Sequence, residues 1–258
     1  MPEPDEKTMS AQTSYDRADS SITPASARHR REEERSLHLR TAFLRRVAHD
    51  IASPTGVTMT VIDELASSGG KPELVAMARR GLRRLMRLSE QLALTADIEA
   101  GGWEPEMAIE DARSVLKDAV DAAVAIDGRR DIQSSLSLPP ERLATGVDRR
   151  VVVTALREIV GNALRIASSK VQIAIAKEGD AVVVRIHDDG PGFHEDALAT
   201  LGERFVARNA MRGLGLSLAM AKDVLDAHGG TLSVEQSALP PGRRGTPGAC
   251  VVVSLPCA

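Results

Sequence analysis

The sequence predicts a helical hairpin, paired into a dimeric four-helix bundle, followed by an α+β sandwich. Three observations carry that reading. Apolar residues recur at helical spacing through two adjacent runs in the first hundred residues. A strand–turn–strand pattern, "VQIAIAKEGDAVVVRIHDDG", lies in the second half. Helical and strand periods then segregate into runs rather than alternating, as expected for a layered α+β domain.

Residues 1–28 are rich in Ser, Thr, Pro, Asp and Glu and poor in large apolar side chains. Such a segment cannot bury enough surface to order itself and is expected to be a disordered tail. Residues 29–98 form the hairpin. Its first helix carries Leu37, Leu44, Val47, Ile51, Ile62 and Leu65; its second carries Leu74, Met77, Leu82, Leu85, Leu88 and Leu92. "SSGGKP" at 67–72 supplies glycines to end one helix and a proline to start the next. Two helices cannot cover such long apolar stripes, so a homodimer is expected.

Residues 104–258 form the α+β domain. Trp103–Ile109 is a candidate edge strand, and helices are expected near 111–126, 148–167 and 214–228. Strands at about 231–236 and 249–254 close the domain.

Composition excludes several classes. The 258-residue chain has a formal charge of −3, which gives no reason to expect a nucleic-acid partner. No apolar run reaches the ~18 residues of a membrane helix, so no membrane insertion is expected. Two cysteines, Cys250 and Cys257, make no disulfide framework and fit a reducing, cytoplasmic setting. Aromatics are 2% of residues, so the core is expected to be aliphatic.

Several stretches carry chemistry. In "VAHDIASPTG", His49 lies about 200° around the helix from both Val47 and Ile51, and so faces solvent. A neutral imidazole attacks phosphorus well when a neighbour holds the proton of its other nitrogen, and Asp50 is adjacent. Ser53 lies one turn further on the same face, and Pro54 predicts a kink. "REIVGNALR" places Glu158, Asn162 and Arg165 near one helix face. A carboxamide or carboxylate oxygen there suits Mg²⁺, with Asn162 and Glu158 as candidate ligands. "HDDGPGF" ends a strand with Asp188 on the apolar face, where a carboxylate could accept a hydrogen bond from an adenine amino group. Gly190 and Gly192 would let the backbone approach the base. "RGLGLSLAM" sets Gly213, Leu214 and Gly215 before a helix whose first amides suit phosphates.

In this order and spacing the motifs resemble those of the sensor histidine kinases of two-component signalling, over roughly residues 35–258. "HDIASP" resembles the phosphoacceptor box, "EIVGNA" the N box, "DDGPG" the G1 box, "ERF" the F box and "GLGL" the G2 box. The resemblance implies a dimerisation hairpin followed by a Bergerat-type ATP-binding domain of the wider GHKL superfamily. It implies ATP and Mg²⁺ as ligands and an aspartate on a separate response regulator's receiver domain as phosphate acceptor. His49 would be the phosphoacceptor, Asn162 a Mg²⁺ ligand and Asp188 the adenine-reading carboxylate. Gly190, Gly192, Gly213 and Gly215 would shape the nucleotide loops.

The sequence departs from the family pattern in places. Ala52 stands where a basic residue is usual, Glu158 where Asn is more frequent, and Met211 where a glycine is usual. The stretch between Phe205 and Gly213 is short. Two further readings therefore stay open: a dimeric phosphotransfer or scaffold protein with a degenerate ATP domain, and a GHKL-type ATPase or serine kinase using Glu158 as base.

Overall fold

The computed structural model describes residues 40–258 apart from 42, 43, 46, 50, 53, 54, 57, 102, 128, 130, 194–215 and 244. Every described position between 40 and 67 is helical (α1). A turn follows, in which Gly69 adopts φ 88° and the Gly70 amide donates to Leu65 O at 2.9 Å. The second helix, α2 (Pro72–Glu99), begins with Pro72 in its first turn. The expected helix–turn–helix is thus present. The kink at Pro54 falls outside the described residues.

The hairpin's apolar stripe is used in two ways. Near its open end, Leu44, Ala48, Leu92 and Ala96 form a buried cluster that also takes in Leu216. Toward the turn, Val61, Leu65, Leu74, Met77 and Leu85 remain exposed in the single chain.

The second domain contains β1 (Ala108–Asp111), α3 (Ala112–Asp127), β2 (Gln133–Ser137), β3 (Ala144–Val147), α4 (Arg149–Ile166), β4 (Lys170–Glu178) and β5 (Ala181–Asp188). It ends with α5 (Ser217–Ala227), β6 (Thr231–Gln236) and β7 (Ala249–Pro256). Five strands form one sheet in the order β2-β4-β5-β7-β6, and β1 pairs with β3 in a two-stranded ribbon. Helices α3 and α5 both pack on α4. Their apolar faces (Leu116, Leu156, Ile159, Leu164, Met220 and Leu225) close one core with Val171, Ile173, Ile186 and Val253 of the sheet.

Three details differ from the sequence reading. Trp103–Met107 is not a strand: β1 starts at Ala108 and runs on to Asp111. Two strands, β2 and β3, were not expected. The pattern "QSSLS" is largely exposed on the sheet edge and lacks the apolar alternation that announces a strand. β2 also runs parallel to β4, so the sheet is mixed rather than purely antiparallel. The β4–β5 hairpin is as expected: Glu178 pairs with Ala181 across a turn in which Gly179 takes φ 60°.

Among the described residues, no helix is long and apolar enough to cross a membrane.

Candidate nucleotide and phosphoacceptor site

Helix α4 is fixed at its start by Asp148. Its carboxylate accepts from the amides of Arg150 (3.1 Å) and Val151 (3.4 Å), capping donors that no helical carbonyl can reach. The Asp148 amide donates to Nε2 of buried His228, and His228 Nδ1 lies 2.6 Å from Val224 O, so Nδ1 is the donating nitrogen of the ring. This histidine ties α5 to the N-terminus of α4.

So anchored, α4 turns Glu158, Asn162 and Arg165 away from the sheet. Arg165 Nη2 donates to Asn162 Oδ1, and Arg165 Nη1 donates to Asp127 Oδ2 at 3.0 Å. Asn162 and Arg165 are both half-buried. Glu158 is placed differently. It has no solvent exposure. Gln91 of α2 donates to its Oε2, Arg157 donates to Oε1 at 3.2 Å, and Arg87 Nε lies 3.7 Å from Oε1. In this arrangement both oxygens of Glu158 face the hairpin rather than open space.

At the end of β5, Asp188 is 1% exposed. Its Oδ1 accepts from the Gly190 amide at 2.8 Å and from Ala249 at 3.5 Å. Burial pushes its carboxyl above the usual range, against those two backbone bonds. Among the described residues these bonds use only Oδ1, which leaves Oδ2 for a donor. The backbone closes tightly around this carboxylate. A Cβ on Gly190 would lie 2.7 Å from Ile166 O, and a Cβ on Gly248 would overlap Asp188 O. Gly192 takes φ 72°, and a Cβ there would meet Pro247 O at 2.7 Å. The contact with Ile166 O sets the glycine turn against the C-terminal end of α4, which carries Asn162 and Arg165.

Asp189, next in sequence, does something else. Its Oδ1 accepts from the amides of Ser168, Ser169 and Lys170, each at 2.9 Å, and its Oδ2 accepts from Ser169 Oγ at 2.5 Å. Burial raises its carboxyl, but the Ser169 hydroxyl and those amides outweigh burial and hold it below the usual range. It lashes the end of β5 to the α4–β4 loop and so sets where Asp188 sits.

His49 is exposed on α1, as its angular position requires. Its neighbour Ala48 is buried, and Ala48 O accepts from Ser89 Oγ of α2 at 2.5 Å. Leu216, the residue after Gly215, lies in the same buried cluster as Ala48. Gln91 also donates to Ser217 Oγ at 3.0 Å, at the start of α5. Leu216, at the start of α5, therefore packs against the turn of α1 that carries His49. Asp50, Ser53, Gly213, Leu214 and Gly215 lie outside the described residues.

The donor set suits the expected ligands. A buried carboxylate beside a cradle that only glycines can line fits a flat base with an amino donor. Among the described residues, no group of three His, Cys, Asp or Glu side chains could hold a metal alone. Mg²⁺ needs few protein oxygens when phosphates and water complete its shell, and the Asn162 amide oxygen is of the right kind.

The sequence reading did not single out Asp189, Gly248 or Asp127. The first stood inside a quoted motif without a separate role. Gly248 stands in "GTPG", which in sequence marks no more than a turn before the last strand. Asp127 follows an unremarkable helical pattern.

Residues 147–258 match the family described as histidine kinase-, DNA gyrase B-, and HSP90-like ATPase. The signal transduction histidine-protein kinase AfsQ2 of Streptomyces coelicolor is 30% identical over 218 residues, covering 76% of this chain and 39% of that protein. The sensor protein KdpD of Clostridium acetobutylicum is 27% identical over 207 residues, covering 75% of this chain and 23% of that protein. In fold, the chain resembles full-length ShkA, solved in complex with AMPPNP, with a TM-score of 0.60 at 22% identity over 84% of this chain and 46% of that one. The match of residues 147–258 to this ATPase family and the similarity to sensor histidine kinases agree with the motifs quoted from the sequence. The chain spans between 23% and 39% of the length of these two curated relatives.

Proposed function

We propose that the chain is an ATP-dependent protein-histidine kinase that phosphorylates His49 and passes the phosphate to an aspartate of a separate response regulator. The observation that carries this reading is the shared cluster of Ala48 and Leu216, which packs the turn carrying His49 against the start of α5. A protein that only hydrolysed ATP would have no use for that juxtaposition.

Asp188 accepts the adenine amino group, and the glycines at 190, 192 and 248 admit the base. Asn162 and Arg165 face the phosphates, the first through Mg²⁺. When bound, Mg²⁺ would supply charge neutralisation of the phosphates, with the Asn162 amide oxygen as the residue that would hold it. A lone-pair nitrogen of His49 attacks the γ-phosphorus. The N–P bond forms, the bond from γ-phosphorus to the bridging oxygen breaks, and ADP departs. The proton on the other ring nitrogen passes to Asp50 or water. The receiver aspartate then takes the phosphoryl group, and His49 recovers a ring proton from Asp50 or water to return to neutral imidazole. Ser53, one turn beyond His49, is proposed to position water for hydrolysis of the regulator's phospho-aspartate. The kinase acts as a cytoplasmic homodimer through the exposed part of the hairpin stripe.

The ATPase or serine-kinase reading requires Glu158 to reach water. Its burial among Gln91, Arg87 and Arg157 argues against it. Incubation with γ-labelled ATP separates the readings. Label retained on the chain in a form lost in acid and stable in alkali supports the histidine kinase. Free phosphate with no label on the chain contradicts it.

A further inference from the structure

Asp127, the last residue of α3, touches neither hairpin helix in sequence nor any motif of the nucleotide site, yet it joins both. Its Oδ2 accepts from Arg87 of α2 and from Arg165 of α4. Arg165 in turn holds Asn162 Oδ1. One buried carboxylate oxygen is thus shared by an arginine of the hairpin and an arginine of the phosphate end of α4.

Two further observations show that this sharing is incomplete on both sides. Asp127 is 3% exposed and its Oδ1 is buried without a hydrogen-bond partner among the described residues. Arg87 Nε is likewise buried without one, its ion-pair contact with Glu158 at 3.7 Å being too long. An arginine and a carboxylate ordinarily pair through two parallel bonds. Here Arg87 and Asp127 make one, through Nη1; Asp127 Oδ1 is idle while Arg165 occupies Oδ2, and Arg87 Nε faces Glu158 from the other edge of the guanidinium, so a second parallel bond to Asp127 would come from Nη2.

The seat of Asp127 is also purpose-made. It lies over Gly161 of α4, where a Cβ would come 2.7 Å from Asp127 Oδ2 and 3.4 Å from Arg165 Nη1. Glycine inside a helix is less favourable than alanine. Here it opens the notch that admits the carboxylate.

We propose that Asp127 is a partner-exchange switch that couples nucleotide binding to docking of the hairpin. This rests on the kinase reading above. When phosphates engage Arg165, that arginine leaves Asp127 Oδ2. Asp127 and Arg87 then complete their two-bond pair and clamp α2 to the ATP domain. Without nucleotide the carboxylate is divided and the clamp is loose. By reciprocity, a tighter Arg87–Asp127 pair favours nucleotide. Asp127 and Arg87 are positioning residues; they act through Arg165.

The test is MgATP affinity by calorimetry on the full chain, with hydrogen exchange of α2 as a second readout. The two partners of one ion pair are expected to shift affinity in opposite directions. Arg87→Lys keeps the charge but cannot form the second bond. It leaves Arg165 held and removes the compensating pair, so MgATP binds about fivefold more weakly. Asp127→Asn releases Arg165 before nucleotide arrives, a gain that outweighs the one added Arg87 bond it forgoes, so MgATP binds about fivefold more tightly. In both variants MgATP no longer slows exchange in α2, as it does in wild type. Gly161→Ala, which favours the helix, reproduces the Asp127→Asn pattern by displacing the carboxylate and keeps the test valid if Asp127→Asn folds poorly. Shifts in the same direction for Arg87→Lys and Asp127→Asn, or none, overturn the switch. A wild type that binds no MgATP overturns the kinase reading with it.

Discussion

Gln91 of the hairpin donates to Glu158 Oε2, on a glutamate with no solvent exposure, and the same amide donates to Ser217 Oγ. One side chain thus bridges α2, α4 and the start of α5. Glu158 was expected from the sequence to stand at the metal or to act as a base, and this bridge gives it a different use: holding the hairpin to the ATP domain.

The difference is measurable with Glu158→Gln. Removing one charge of a buried ion cluster leaves Arg87 and Arg157 underpaired and costs about 3 kcal/mol of stability. Labelling of His49 should fall by about tenfold or less, short of the ~10²–10⁴-fold loss of an acid–base group. The two effects are checked by denaturant titration and by initial labelling rates. A loss of more than about a thousandfold with unchanged stability and ATP affinity would return Glu158 to the role of base.

Asp188→Asn should make the free protein more stable and the complex weaker. Burial raises the Asp188 carboxyl. A raised folded-state value means a contribution that is present at low pH and lost as pH rises through that value. Asparagine keeps an oxygen for the Gly190 and Ala249 amides and carries no charge. The stability gain of the variant should therefore be larger at about pH 8 than at about pH 4. Adenine nucleotide binding should weaken roughly ten- to a hundredfold, because the base's amino group loses a charged acceptor. Denaturation midpoints at the two pH values and calorimetric titration read both effects.

Asp189→Ala should behave oppositely. It strands three backbone amides and the Ser169 hydroxyl, costing about 2–3 kcal/mol. Because the folded-state value is lowered, the wild-type contribution is present above the ordinary carboxyl range and is lost as pH falls through the folded value. The gap between wild type and variant, followed by circular dichroism, should close in acid.

The exposed run of Val61, Leu65, Leu74, Met77 and Leu85 predicts a dimer in solution. Light scattering of the full chain at micromolar concentration should give twice the chain mass, and Leu74→Arg with Met77→Arg should give the single mass. A monomeric wild type would count against the four-helix bundle.

Much of this was legible because it is written in local periods. Leu44, Leu92 and Ile62 mark the hairpin by helical spacing, and Val171 to Asp188 mark a strand pair by alternation around Gly179. Asp188 was legible because the strand period itself places it on the buried face. What escaped is set by distant partners. β2 is a polar edge that exists because β4 supplies a neighbour. Asp127 and Gly161 are 34 positions apart by their numbering and meet only when α3 and α4 pack. The burial of Glu158 depends on α2, which no pattern within "REIVGNALR" can reveal.

The central claim is that His49 receives phosphate from ATP. It is tested most directly by incubating the full chain with γ-labelled ATP and Mg²⁺, then splitting the sample between acid and alkali. The label is expected to be lost in acid, to survive alkali, and to be absent from His49→Gln although that variant binds ATP as wild type does. Label that persists in His49→Gln, or that resists acid, would contradict it.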